Sequence, residues 1–134
     1  HELYNPNIKP NLNMTKKEPF IINRIKSLGF AFRGAFLLLK NEASVQVQAI
    51  IAVLVIIAGF YFEISAIEWM VQLIAIALVM SAEALNSAIE EIADFIHPDY
   101  HKKIGYTKDI AAGAVFFAAI VAIIIAGIIY IPKF

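Results

Sequence analysis

There is no cysteine among the 134 residues, so neither a disulfide frame nor a thiolate metal site is available. Glycine is sparse, six residues in all, and nowhere spaced as G-x-x-x-x-G-K-[ST] or G-x-G-x-x-G, which excludes the familiar nucleotide-binding folds. Charged residues make up 16% of the chain and cancel to a formal net charge of zero, so total charge carries no signal for a nucleic-acid partner. What is present is apolar: 60% of the residues are hydrophobic and the mean hydropathy is strongly positive. That composition excludes an ordinary soluble domain and describes a small membrane protein.

Charge placement is more informative than charge sum. Of the eleven Lys and Arg residues, seven precede Asn41, three lie between Lys102 and Lys108, and Lys133 stands alone. Residues 1–18 are polar, contain Asn and Pro, and lack an apolar period, so they are expected to be flexible or non-native, with Met14 as the candidate natural start. Nothing there resembles a secretory signal peptide, because the first long apolar run follows a long basic segment. Residues 19–134 are expected to form one membrane-embedded domain.

From Pro19 to Lys40, Phe20, Ile21, Ile25, Leu28, Phe32, Phe36 and Leu39 recur at helical spacing among Arg24, Lys26, Arg33 and Lys40. This predicts a basic amphipathic helix over 19–40, lying at the membrane surface. Three spans follow, at about 44–62, 67–96 and 110–131. Phe60, Tyr61 and Phe62 give the first an aromatic belt, and Pro98 ends the second. A polar loop is expected over 97–109 with Gly105 as its turn residue. In the third span Ala114, Ala118, Ala122 and Ala126 form a stripe for close helix packing. The distribution of Lys and Arg predicts a cytoplasmic N-terminus and a cytoplasmic 102–108 segment. The fold class is thus all-α membrane protein, a surface helix plus three transmembrane helices.

One stretch conflicts with this apolar background. At about 100° per residue, Glu83, Asn86, Ser87, Glu90 and Asp94 fall at about 0, 300, 40, 340 and 20° and form one polar seam. Carboxylates at the edge of a bilayer cost several kcal/mol each unless paired, hydrated or metal-bound. The stretch holds no cation to pair with Glu83 or Glu90, and a hard divalent ion such as magnesium is the natural relief. The charge distribution brings Arg24, Arg33 and Glu42 to the same membrane level as Glu83, Asn86, Glu90, Asp94, Lys108 and Asp109. Three thin helices do not enclose so large a site, so an oligomer is expected.

Phosphoryl transfer needs these parts: Glu42 and Glu90 to hold metal, Lys108 to reach phosphates, and Glu83, deepest in the apolar segment, as general base. An ion-coupled carrier using the same seam, or a structural membrane module, is the competing reading. His97 and His101 read as loop residues, and Asp109 also suits a helix cap.

Glu83-Ala-Leu-Asn-Ser-Ala-Ile-Glu90 with Asp94, then Asp99-Tyr100-His101 and Lys108-Asp109, closely resembles the signature of the small bacterial integral-membrane diacylglycerol kinases, a family that includes undecaprenol kinases. Asn41-Glu42-Ala43 and the Arg24, Gly29, Gly34 pattern resemble it too, and the likeness runs from about Arg24 to the end of the third span. The resemblance implies a homotrimer in the bacterial inner membrane with active sites between subunits. It implies Glu83 as catalytic base positioned by Asn86, Glu42 and Glu90 as magnesium ligands for MgATP, and Lys108 and Asp109 at the nucleotide. Arg24, Phe30, Asp99, Tyr100 and His101 are implied ATP contacts, and Arg24, Glu83 and Ala112 are implied at the lipid. Ala93 and Ala112 depart from the family's larger aliphatic and frequent serine, and Gln48 stands where the undecaprenol branch commonly has histidine. Asn41-Glu42-Ala43-Ser44 is closer to the diacylglycerol branch. The expected activity is ATP- and magnesium-dependent phosphorylation of a membrane lipid hydroxyl, diacylglycerol first and undecaprenol as the alternative.

Overall fold

The computed structural model describes Asn7 and residues 18–134, so the stretch 1–18 lies outside the described residues apart from Asn7 and Glu18. The described residues contain four helices and no strand: α1 (Phe20–Asn41), α2 (Ala43–Tyr61), α3 (Ala66–Ile96) and α4 (Lys102–Tyr130), the last running into a 3-10 turn at Ile131–Lys133. The chain divides into two compact units, His1–Leu37 and Leu38–Phe134. Three helices, α2, α3 and α4 with its 3-10 turn, are long and apolar enough to cross a membrane.

In the first unit α1 makes several local contacts. Lys26 pairs with Glu18, the Ser27 hydroxyl donates to the Asn23 carbonyl, and the Arg24 guanidinium lies 5.0 Å over the Phe20 ring. In the second unit α2 starts from Glu42, whose extended backbone (φ −102°, ψ 110°) breaks the run of helix. The Gln46 amide donates to the Leu39 and Lys40 carbonyls at 3.0 Å each, satisfying carbonyls that the end of α1 leaves open.

The turn between α2 and α3 is as short as the sequence implies. Glu63 takes a left-handed conformation at φ 51°, and Ser65 with Glu68 forms a reciprocal capping box that starts α3. Just before the turn, Gly59 is buried against the Trp69 ring. A Cβ there would stand 2.7 Å from that rigid ring, so only glycine permits this approach. Gly59→Ala is expected to destabilise the protein by about 1–3 kcal/mol, the usual cost of overpacking, read as a lowered unfolding midpoint in detergent.

The α3–α4 pair is the most extensive helix contact in the second unit. Tyr130 meets Gln72 at one end and Lys108 meets Asp94 at the other. Those contacts are 22 residues apart along each helix, so the two helices run antiparallel in register for about 33 Å.

Three expectations are corrected here. Gly105 is not a turn residue but lies inside α4, which begins at Lys102 and shortens the expected loop to residues 97–101. His101, not Asp109, caps that helix: its ring accepts the Lys103 N–H at 3.1 Å. Gly105 instead admits the Tyr100 ring, 3.4 Å from where a Cβ would stand. The alanine stripe also divides. Ala118 is buried and Ala122 and Ala126 are half-buried, whereas Ala114 is exposed. Steps of four residues drift about 40° each around a helix, which carries Ala114 off the packed face while Ala111, seven residues from Ala118, stays on it.

Candidate active site

The packed face of α3 is lined by Gln72, Ala75, Val79, Glu83, Ser87 and Ala93, all buried. Glu83 therefore sits in the same helical row as core residues. It is only 8% exposed, and no ion pair or hydrogen bond among the described residues engages its carboxylate. By the α3–α4 register it is level with Ala118 and Ala119. A charge so placed has no structural partner to account for it.

One turn along, the Asn86 amide donates to Glu90 Oε1 at 3.2 Å. Asn86 Oδ1 is buried and has no partner among the described residues. A buried acceptor left open costs free energy. Glu90 is exposed and has no ion-pair partner among the described residues. At the end of the seam Lys108 Nζ donates to Asp94 Oδ1 at 2.5 Å, both groups partly solvated, so the pair adds little stability.

Register places the remaining residues. The Gln72 amide donates to the Val55 carbonyl at 3.4 Å, linking α3 to α2. From that contact Glu42 lies about 20 Å along α2 and Glu83 about 17 Å along α3, so the two acids are near one level. Glu42 is half-buried at the N-cap of α2, yet its side chain makes no cap hydrogen bond. Capping therefore does not occupy its carboxylate. Ala112, exposed on α4, is level with Glu90.

Depth follows from the opposite end. Lys133 pairs with Glu68 at 3.3 Å, and a 30 Å hydrocarbon core takes about 20 helical residues, which brings the other face to about Ala88. Glu83 is then over one turn inside the apolar layer, Glu90 at headgroup level, and Asp94 beyond.

Asp99 and Tyr100 are exposed in the loop 97–101, where His97 Nδ1 contacts the Asp99 carbonyl at 2.6 Å and the rings of His97 and His101 stand 5.3 Å apart. Asp109 is exposed on α4, and Arg24 and Phe30 are exposed on α1 in the first unit.

Among the described residues no three His, Cys, Asp or Glu side chains converge as a metal cage. The Glu90 carboxylate and the open Asn86 Oδ1, one turn apart on α3, are hard oxygen donors, and the Glu42 carboxylate lies at the N-cap of α2, nearer the level of Glu83. Donors of that kind suit magnesium, which takes few protein ligands and completes its shell with waters and phosphate oxygens.

The contact between Tyr130 and Gln72 was not foreseen from the sequence. The Tyr130 hydroxyl donates to Gln72 Oε1 and also lies 3.2 Å from the Val55 carbonyl, so one polar contact ties all three apolar helices. The lone glutamine in an apolar run was the available signal. The Asp94–Lys108 pair was equally unforeseen, because only the register of α3 on α4 creates it.

The chain is similar to proteins of known activity. A family model described as prokaryotic diacylglycerol kinase matches residues 29–130. An undecaprenol kinase of Bacillus subtilis (strain 168) is 40% identical over 113 residues, covering 84% of this chain and 92% of the relative. A diacylglycerol kinase of Escherichia coli (strain K12) is 34% identical over 100 residues, covering 75% of this chain and 82% of the relative. A third relative, a diacylglycerol kinase of Synechocystis sp. (strain ATCC 27184 / PCC 6803 / Kazusa), is 32% identical over 111 residues, with 82% and 63% covered.

Proposed function

The chain belongs to the prokaryotic diacylglycerol kinase family and is a lipid kinase, and from that premise we propose that it transfers the γ-phosphoryl group of ATP to the hydroxyl of diacylglycerol. The observation that carries the assignment is Glu83, a buried carboxylate without a partner among the described residues; the thickness of an apolar core sets it over one turn below the headgroup level. A lipid hydroxyl entering from the bilayer meets it there. Glu83 takes the hydroxyl proton as the lipid oxygen attacks the γ-phosphorus; the bond to the bridging oxygen breaks, and ADP and the lipid phosphate leave.

Asn86 fixes the helix turn between Glu83 and Glu90 and offers its open oxygen to the bound groups. Glu42 and Glu90 hold magnesium, which when bound neutralises phosphate charge. Lys108 and Asp109, with Asp99, Tyr100 and His101 at the adjacent loop, serve the nucleotide. Arg24 and Phe30 on α1 are retained as nucleotide contacts, Arg24 also at the lipid, and Ala112 supplies an apolar contact for it. The helix α1 acts as a basic amphipathic surface helix, and three copies assemble so that neighbours complete each site. The inner membrane, with the N-terminus cytoplasmic, is the setting that the Lys and Arg distribution supports.

A second reading, undecaprenol as acceptor, is favoured by the 40% identity to the Bacillus undecaprenol kinase. Purified protein in mixed micelles with magnesium and γ-labelled ATP is expected to label a lipid alcohol. Ion flux in liposomes without nucleotide, and no labelled lipid, would overturn the kinase mechanism in favour of a carrier.

A further inference from the structure

The chain has three glutamines, all on α2 and α3. Two are committed. Gln46 closes the carbonyls of Leu39 and Lys40, and Gln72 is held by Tyr130 and Val55. Gln48 makes no hydrogen bond among the described residues, although it is half-buried. It lines an almost wholly apolar cavity of about 230 Å³ between α2, α3 and α4, walled by Ile51, Val55, Val79, Met80 and Ile125. An amide on the wall of an apolar cavity with no partner among the described residues is unfavourable, so this one is suited to an acceptor that arrives with a ligand.

Depth identifies the acceptor. From the Val55–Gln72 contact, Gln48 lies about 10 Å along α2 and Glu83 about 17 Å along α3. The amide is thus about one helical turn deeper in the apolar layer than the carboxylate. In a diacylglycerol the ester carbonyls sit a few bonds below the free hydroxyl, and the acyl chains continue beyond them. A polyprenol has a hydroxyl but no acceptor at that depth.

We infer that the Gln48 side-chain amide donates to an ester carbonyl of the lipid whose hydroxyl lies at Glu83, with an acyl chain in the cavity, making Gln48 a specificity-determining residue for glycerolipid esters. The inference rests on the lipid-kinase mechanism above and adds the residue that reads the substrate's ester.

The test compares a 1,2-diacylglycerol with the matching 1,2-dialkylglycerol, which keeps the hydroxyl and both chains but lacks the carbonyls. Rates are measured on wild type and Gln48→Leu in the same micelles. For wild type the diester-to-diether ratio of kcat/KM is expected to be roughly tenfold, the worth of one hydrogen bond in an apolar setting. In Gln48→Leu that ratio falls to near one. Because the ratio is taken within each protein, partial loss of folded material cancels. The inference fails if the ratio is the same in both proteins, or if wild type phosphorylates undecaprenol and ignores both glycerolipids. Phosphorylation of none of the three lipids would sink the kinase mechanism instead.

Discussion

Glu83→Gln leaves the protein folded and lowers its lipid-kinase turnover by roughly 10²- to 10⁴-fold, the contribution of a positioned general base. The substitution keeps the shape of the side chain and removes only its ability to take a proton. Stability should hold or rise, because Glu83 is 8% exposed with no ion-pair or hydrogen-bond partner among the described residues, and deleting an unpaired charge from an apolar layer relieves a cost. Two measurements on one preparation decide the matter: initial rates with γ-labelled ATP at saturating lipid, and the thermal unfolding midpoint in the same detergent. Wild-type turnover in this variant would remove Glu83 from the chemistry. A collapse of the midpoint would instead make it a packing residue, since its row on α3 is otherwise the core row of Gln72, Ala75, Val79 and Ser87.

Glu90→Gln is expected to cost at least about 100-fold in activity at fixed magnesium, because loss of a residue that merely supports a metal ligand already costs 10- to 100-fold. Glu90 is exposed and receives the Asn86 amide, so its loss disturbs little packing. The signature is in the metal dependence. Raising magnesium should restore part of the activity of Glu90→Gln and none of that of Glu83→Gln, since the first lacks a ligand and the second a base. Chelation of magnesium should silence the wild type. Equal recovery of both variants at high magnesium would merge the two roles and refute the division of labour between the carboxylates.

Much of this was legible without coordinates, for identifiable reasons. An apolar run of bilayer length has few alternatives to a membrane helix, so the three spans were fixed by hydropathy alone. The acidic seam was equally visible, because residues three and four apart share a helix face whatever surrounds them. Helix ends at Asn41, Tyr61 and Ile96 followed local chemistry at Glu42, the 62–65 turn and Pro98. The start of α4 did not. Gly105 and a string of polar residues read as loop, yet His101 supplies a cap and Tyr100 fills the space a Cβ would need, so the helix extends back to Lys102.

What the sequence by itself determined is the set of apolar helices and the angular position of Glu83, Asn86, Glu90 and Asp94 on one of them, both consequences of short-range periodicity. Only the tertiary structure decided what that face meets. The register of α4 on α3 joins Asp94 to Lys108 and puts Glu83 beside Ala118 and Ala119; the contact of Val55 with Gln72 brings Glu42 to the same depth and leaves Gln48 facing the cavity. Those juxtapositions join residues far apart in the chain, and no local period encodes the sliding of one apolar helix along another.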